Sequence, residues 1–270
     1  MKCTTKFTRR FRILSLLLAA ALALQSGPAW ATPGNVVAAN LSLYYRADNV
    51  DGNGNPGNGT TTLLKNLINP GTYDGTIVNG SGVANNGAVA APYKYGVVLS
   101  GVSLTHITSA FLVGITPGTP TGVNKATATT WEFWLRDAGV ANDGKGGLYS
   151  EVPGTTGNRY RHAITLRGTS SATRYAEFNS HGPSGGAVNS GSPLFEMNTF
   201  AQIVVTKNGD TLTFYKNGTQ VGTTATSSET YNTQTPTRTL LGMHGVNFEP
   251  FTGQFNIVRV YDGVLTAEQV

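Results

Sequence analysis

The chain has 270 residues, and its 19 Lys and Arg against 14 Asp and Glu give a formal charge of +5. Five of the cations lie before residue 13, where there is no acidic residue, so the chain beyond residue 31 carries 14 charges of each sign. This balance excludes a basic surface for nucleic acid or an anionic membrane, and the single cysteine, Cys3, excludes disulfide and thiol chemistry beyond that segment.

Residues 1–31 have the three parts of a secretory signal. A basic start is followed by an apolar run, Ile13–Leu24, and then by Ala29-Trp30-Ala31, which has the small-x-small pattern of a cleavage site. An apolar run of about a dozen residues is too short for a bilayer, which requires roughly 20. We therefore expect cleavage after Ala31, no membrane span in the mature chain, and export to the periplasm or the extracellular space.

The composition favours β-structure. The sequence contains 34 glycines and only 12% charged residues, whereas an average domain has about 25% charged residues. Such a composition suits short strands with polar faces that are joined by glycine-rich turns. Because an all-β sandwich of this size is ordinarily one domain, we predict a single domain over residues 32–270.

Alternating apolar and polar residues predict the first strands. Asn40–Ala47 places Leu41, Leu43 and Tyr45 on one side, as in a half-buried strand. Three further strands are predicted at Tyr73–Val78, Tyr95–Ser100 and Leu104–Val113.

The aromatic segment Thr130–Arg136 predicts a strand in the middle of a sheet. Three large apolar side chains face one way: Trp131, Phe133 and Leu135. The side chains between them face the other way: Glu132, Trp134 and Arg136. The first set is expected to pack between two layers.

The second half of the chain predicts a meander and a closing strand. Val204–Thr224 contains Asn208-Gly209 and Asn217-Gly218, and Asn-Gly pairs between alternating segments favour tight hairpin turns. Phe251–Tyr261 alternates as a last strand, and Thr266 can cap a short helix after it. The sequence ends inside this predicted helix, so truncation of the domain at its C-terminus is one expectation.

These segments resemble the laminin G-like branch of the concanavalin A-like lectin/glucanase superfamily. The opening strand Leu43–Asp48 and the turn Asp74-Gly75 are similar to those of the family. The C-terminal residues that carry the resemblance are Gly253, Phe255, Val258, Arg259, Val260, Tyr261, Leu265 and Glu268. The resemblance implies an all-β, concanavalin A-like jelly-roll sandwich of two antiparallel sheets, one of them concave, with rim loops that bind calcium or sugar in some members.

The sequence lacks the spacing that glycoside hydrolysis requires. Glycosidases of that superfamily resemble one another in a Glu-x-Asp-x-x-Glu strand, which places carboxylates on one face, and retaining chemistry requires the pair about 5 Å apart. The nearest candidates, Glu132 and Asp137, would lie on opposite faces of a strand. Three distant carboxylates could still meet across strands: Glu132, Glu151 and Glu177. We therefore predict that the protein has no catalytic residues and keep hydrolysis as an alternative.

No other catalytic spacing is present. A nucleophile elbow of Gly-x-Ser-x-Gly is missing. The four histidines do not have zinc-ligand spacing, and each is expected in the core or on a strand surface: His106, His162, His181 and His244.

A glycine- and asparagine-rich loop offers oxygen atoms for a calcium ion. Asp51, Asn53 and Asn55 stand at every second position, and Asp48 supplies a second carboxylate. The loop departs from the EF-hand pattern at Pro56 and Thr62. Two interpretations remain open: a solvated turn and a weak calcium site.

Sugar binding requires an aromatic ring beside planar polar groups that bond to hydroxyls. Alternation places five such side chains opposite core positions: Trp134, Arg161, Glu177, Asn179 and His181. We predict that they share the concave sheet as a ligand-binding face, or else form an ordinary polar sheet face.

The sequence therefore favours an exported, non-catalytic recognition module that binds a glycan or an extracellular surface protein, with or without calcium. A structural or adhesive protein of the cell exterior is the first alternative. A glycoside hydrolase or lyase is the second.

Overall fold

The structure is a computed structural model, and it describes residues 41–100, 106–110, 129–139, 144–152, 162–170, 173–180, 187–191, 194, 196–221, 225–226, 238–245 and 249–270. The predicted signal segment, 1–31, lies outside this range. Within it the regular elements are β-strands, as the composition predicts. Among these residues there is no helix long and apolar enough to cross a membrane.

The described residues form seventeen strands: β1 (Leu41–Arg46), β2 (Leu63–Leu64), β3 (Gly75–Val78), β4 (Val83–Asn85), β5 (Tyr95–Ser100), β6 (His106–Ala110), β7 (Thr129–Asp137), β8 (Gly146–Val152), β9 (His162–Arg167), β10 (Tyr175–Ser180), β11 (Ala187–Asn189), β12 (Phe200–Asn208), β13 (Thr211–Lys216), β14 (Thr219–Gln220), β15 (Ala225–Thr226), β16 (Arg238–Leu241) and β17 (Thr252–Tyr261). Sheet A has the order β14-β13-β12-β7-β17-β5-β4, with β1 also paired to β17 and β15 to β13. Sheet B has the order β11-β10-β9-β8-β16-β6-β3-β2. The observed strand pairs are antiparallel, which confirms the predicted fold class.

The core lies between the two sheets. Trp131, Phe133 and Leu135 of β7 are buried in it, as alternation predicts. The Trp131 ring lies 5.7 Å from Tyr149 and 5.8 Å from Phe178, both of sheet B. Since β7 pairs with β12 and β17, it is a central strand of sheet A, and these rings join the two layers at their middle.

The meander contains two tight hairpins, and the first of them turns one residue later than predicted. Asn217 and Gly218 have φ of 49° and 77°, as a type I′ turn requires. The first hairpin turns at Gly209-Asp210 instead of Asn208-Gly209, because Asn208 pairs with Thr211.

The C-terminal residues form one turn after β17. The Thr266 N–H donates to the side chain of Gln269 at 2.9 Å, and the Thr266 carbonyl accepts the N–H of Val270 at 3.1 Å. The Gln269 side chain thus acts as in a capping box, but the Thr266 hydroxyl donates to Glu268 at 3.1 Å, and the segment forms a single turn where the sequence predicted a short helix.

Residues 242–245 and 249–250 follow β16, and they lie against β8 of sheet B. We call them the crossing segment. Gly147 donates its N–H to the Glu249 carbonyl at 2.8 Å, and a Cβ added at Gly147 would lie 2.1 Å from the His244 nitrogen. The approach of these two backbones therefore requires glycine at position 147.

We predict that Gly147→Ala destabilises the protein by about 1–3 kcal/mol, because the added methyl forces the crossing segment away from the sheet. Urea unfolding measures this change. Gly146→Ala is the matched control, since its Cβ would meet nothing closer than 3.4 Å. Equal stability of the two variants would contradict the observed approach.

Candidate ligand-binding face

One half of the outer surface of sheet B is polar and partly exposed. Ala176 and Phe178 of β10 are buried in the core, so the residues that alternate with them face outwards. Cross-strand pairing adds a neighbour from β9 and one from β11. We call this surface the β10 face, and it consists of Arg167, Tyr175, Glu177, Asn179 and Asn189.

An arginine organises the β10 face. The Arg167 Nε donates to Glu177 Oε1 at 3.0 Å, and its Nη1 lies 2.8 Å from Glu249 Oε2. The Asn179 amide donates to Glu177 Oε1 at 3.4 Å. Arg167 thus fixes the orientation of one carboxylate from the sheet and one from the crossing segment.

Glu249 is the acidic centre of this cluster. His244 Nδ1 lies 2.7 Å and Lys145 Nζ 3.5 Å from its carboxylate. Burial by itself raises the pKa of Glu249, but the hydrogen bonds and charges of His244 and Arg167 outweigh it and lower that pKa to about 2. Glu249 is therefore ionised at neutral pH.

The β10 face has the chemistry of a polar binding surface. Tyr175 pairs across the strands with Arg167, and Asn189 pairs with Glu177, so a ring lies beside a guanidinium, a carboxylate and two amides. Such groups hydrogen-bond paired hydroxyls while the ring packs against apolar C–H surface. The Glu249 carboxylate has no proton to donate at neutral pH, so it cannot serve as a general acid there.

The structure brings together two of the five residues that were predicted to bind a sugar. Glu177 and Asn179 lie on the β10 face. Arg161 and His181 lie outside the described residues. Trp134 is elsewhere: it is 2% exposed and faces outwards on sheet A. The expectation that Trp134 is an exposed ring on the same sheet as Glu177 is wrong. Trp134 lies on β7 of sheet A, Glu177 lies on β10 of sheet B, and the Trp134 side chain is buried against its neighbours.

The neighbours of Trp134 form a buried network around Glu132. The carboxylate accepts the Trp134 Nε1–H at 2.5 Å, the Gln202 amide at 3.0 Å and the Tyr261 hydroxyl at 3.0 Å. Arg259 Nη1 donates to both of its oxygens at 3.1 and 3.2 Å. Glu132 is thus a structural anion whose lone pairs are occupied.

The three carboxylates of the hydrolase alternative do not meet. Glu132 faces outwards on sheet A, and Glu177 faces outwards on sheet B. Glu151 is fully buried between the sheets, where Tyr149 donates to it at 2.8 Å and His162 lies 3.2 Å away. The alternative in which these three carboxylates meet across strands is therefore wrong.

The loop that was considered for calcium uses its carboxylates internally. Asp48 accepts two hydrogen bonds from Arg46, at 2.8 and 2.6 Å. Asp51 accepts from the Asn55 side chain at 2.6 Å and from the Asn53 N–H at 2.9 Å. These bonds lower the pKa of Asp51 to about 2. Within the described part of the chain, no three His, Cys, Asp or Glu side chains are grouped to hold a metal.

Sequence reasoning missed four residues of the site and its supporting cluster. Tyr175 could have been found, since it alternates with Glu177 and Asn179 in the sequence. Arg167, Asn189 and Glu249 could not, because only the strand register and the crossing segment bring them together.

The chain belongs to the laminin G-like branch of the concanavalin A-like lectin/glucanases superfamily, whose family model matches residues 115–270. No curated protein matches the chain. The family includes both glycosidases and binding domains, and membership therefore defines the fold and not the activity.

Solved structures share this fold at low sequence identity. Domain 4 of AbnA, a GH43 extracellular arabinanase from Geobacillus stearothermophilus in complex with arabinotriose, matches with a TM-score of 0.52 and 17% identity, over 86% of this chain and 96% of that one. The binding domain of Paraclostridial Mosquitocidal Protein 1 matches with a TM-score of 0.56 and 12% identity, over 85% and 50%. The binding domain of Botulinum Neurotoxin DC in complex with SialylT matches with a TM-score of 0.54 and 12% identity, over 87% and 50%. The match thus spans about half the length of each toxin domain.

We predict that Glu249 contributes to acid sensitivity. Because its pKa falls from 4.5 to about 2 in the folded state, its stabilising contribution is complete above pH 4.5 and is lost as the pH falls toward 2. Urea unfolding at several pH values should show a shallower loss for Glu249→Gln than for the wild type. Glu268→Gln, at an exposed carboxylate, is the control; an unchanged slope in Glu249→Gln would contradict the cluster geometry.

We predict that calcium does not raise the melting temperature, because the Asp48 and Asp51 carboxylates already have partners. A ligand that binds only the native state raises the midpoint by mass action, so melting with calcium and with chelator tests this. A higher midpoint in calcium that disappears in Asp51→Ala would restore the loop as a metal site.

Proposed function

We propose that the protein is an exported, non-catalytic recognition module that binds neutral saccharides at the β10 face. The observation that carries the proposal is the partly exposed Tyr175 beside Arg167, Glu177, Asn179 and Asn189. The carboxylates of Glu177 and Glu249 are balanced locally by Arg167 and Lys145, so the cluster suits an uncharged ligand rich in hydroxyls. Secretion rests on the signal pattern of residues 1–31.

Preorganisation supports a binding role. The Arg167 bonds hold Glu177 before a ligand arrives, which lowers the conformational entropy that binding must overcome. The Glu177 oxygens can accept from paired hydroxyls, and the amides of Asn179 and Asn189 can donate and accept. A sugar ring over Tyr175 would then meet both kinds of group.

The structural neighbours give independent support for a saccharide as the ligand. The arabinanase domain was solved with arabinotriose, and the neurotoxin binding domain with SialylT. These ligands are properties of those proteins, and at such low identity they motivate the choice of saccharides as probes.

We expect that an arabino-oligosaccharide or a similar neutral oligosaccharide binds the protein in the millimolar range or tighter. Tyr175→Ala should weaken binding about tenfold through the lost ring contact. Glu177→Gln should weaken it to a similar extent, because charge-assisted bonds are lost. Isothermal titration calorimetry against a panel of neutral oligosaccharides measures both effects.

Gln220→Ala is the matched control, since Gln220 is exposed on β14 of the other sheet. The proposal fails if no oligosaccharide binds at millimolar concentration, or if Tyr175→Ala and Gln220→Ala bind equally well. Release of reducing ends from the same panel would favour a hydrolase instead. Retention on cell surfaces without saccharide binding would favour the structural or adhesive alternative.

A further inference from the structure

A second surface with unsatisfied polar groups lies on the outer face of sheet A. Arg136 is its centre: it pairs across the strands with Phe200 on β12 and with Gln254 on β17. The Tyr93 ring lies 4.6 Å from the Phe200 ring and 5.7 Å from the Trp134 ring. We call these five residues the Arg136 patch.

Hydrogen bonds from two asparagine side chains hold the aromatic part of the patch in place. The Asn86 amide donates to the Tyr93 carbonyl at 2.6 Å and to the side-chain oxygen of Gln254 at 2.9 Å. The Asn256 amide also donates to the Tyr93 carbonyl, at 3.3 Å. These bonds tie the Tyr93 loop to β17, so the ring is positioned without a ligand.

Arg136 differs from the other arginines whose contacts are known. Arg46, Arg167, Arg174 and Arg259 each bond to a carboxylate. Within the described residues, the Arg136 side chain makes no hydrogen bond or ion pair, although its Nε is buried. Burying a guanidinium nitrogen without an acceptor is costly, and native structures rarely leave such a group unsatisfied.

A second unsatisfied donor lies in the same patch. The Tyr93 hydroxyl is buried and has no hydrogen-bond partner in the described structure. The neighbouring carboxylate in the sequence, Asp137, cannot serve, because it faces inwards and bonds to Arg174 at 2.7 and 3.1 Å. The exposed Glu196, whose carbonyl accepts from the Thr199 hydroxyl, forms no ion pair with Arg136.

The partly exposed Arg136 side chain and the adjacent rings favour one kind of partner. A guanidinium with free donors binds a carboxylate through two parallel hydrogen bonds. The Tyr93 and Phe200 rings offer flat apolar surface, which suits the C–H face of a sugar ring. We propose that the Arg136 patch binds a sugar that carries a carboxylate, with Arg136 on the carboxylate and the two rings against the sugar.

This second site is independent of the β10 face. The two surfaces lie on the outer sides of different sheets, and they share no residue. The first has balanced charge, whereas the second presents an uncompensated cation. We therefore expect acidic saccharides to bind at the Arg136 patch and neutral saccharides to bind at the β10 face.

Two matched ligands test the proposal: methyl glucuronide and methyl glucoside, which differ in the carboxylate. We expect that the glucuronide binds the full-length protein at low salt and that the glucoside binds this patch at least about tenfold more weakly. Tryptophan fluorescence gives a direct signal, because Trp134 lies in the patch. Raising the salt from about 0.02 M to about 0.5 M should weaken glucuronide binding.

Arg136→Gln should reduce glucuronide affinity by about tenfold or more, and Arg136→Lys should retain part of it, because lysine keeps the charge but not the paired donors. Lys216→Gln, which removes a cation elsewhere on sheet A, should bind like the wild type. Gln220→Ala should also leave glucuronide binding unchanged, since Gln220 is exposed on β14 and lies in neither binding surface. Thermal melting checks that each variant is folded.

The proposal is overturned if the glucuronide does not bind at millimolar concentration, or if it binds Arg136→Gln and the wild type equally. Equal affinity for glucuronide and glucoside would overturn it as well. These outcomes are separate from those at the β10 face, where failure is a loss of neutral saccharide binding.

Discussion

The packing of side chains between the two sheets determines which residues lie on each outer surface of this protein. Trp131 of sheet A packs against Tyr149 and Phe178 of sheet B, and removing a buried ring of this kind typically costs about 3–5 kcal/mol. Because strands alternate, each inward ring also decides which residues face outwards. Trp131 on β7 thereby directs Glu132 to one surface, and Phe178 on β10 directs Glu177 to the other.

The two outer surfaces differ in how exposed their charged side chains are. At the middle of sheet A, Glu132 and Arg259 are buried as an ion pair, and such a pair is tolerated only when further hydrogen bonds satisfy both groups. Trp134, Gln202 and Tyr261 donate to Glu132, and the Tyr44 hydroxyl accepts from Arg259 at 3.2 Å. The charges there stabilise the structure, while those of Arg167 and Glu177 remain partly exposed and can meet a ligand.

Sequence reasoning succeeded where a pattern is local. Alternation predicted the orientation of Trp131 and the strand at Tyr95–Ser100, and the C-terminal pattern around Arg259 predicted the family. It failed for Trp134 because alternation tells which face a side chain takes, and not what covers that face. Tyr93 comes from a distant loop and lies against Trp134, and nothing in the sequence indicates that contact.

The candidate site was likewise predicted only in part. Glu177 and Asn179 were predicted because they lie on one strand, whereas Arg167 and Glu249 join them through a hairpin register and a crossing segment. Position 147 shows how specific that crossing is, since only glycine leaves room for the His244 backbone. Long-range placement of this kind depends on how the whole sandwich packs.

We propose that a saccharide binds to the exposed side of β10. Amide chemical shifts, recorded by NMR while a neutral oligosaccharide is added, show which residues the saccharide contacts. We expect the shift changes to concentrate at Arg167, Tyr175, Glu177, Asn179 and Asn189. Changes confined to other strands, or no changes at saturating saccharide, would contradict it.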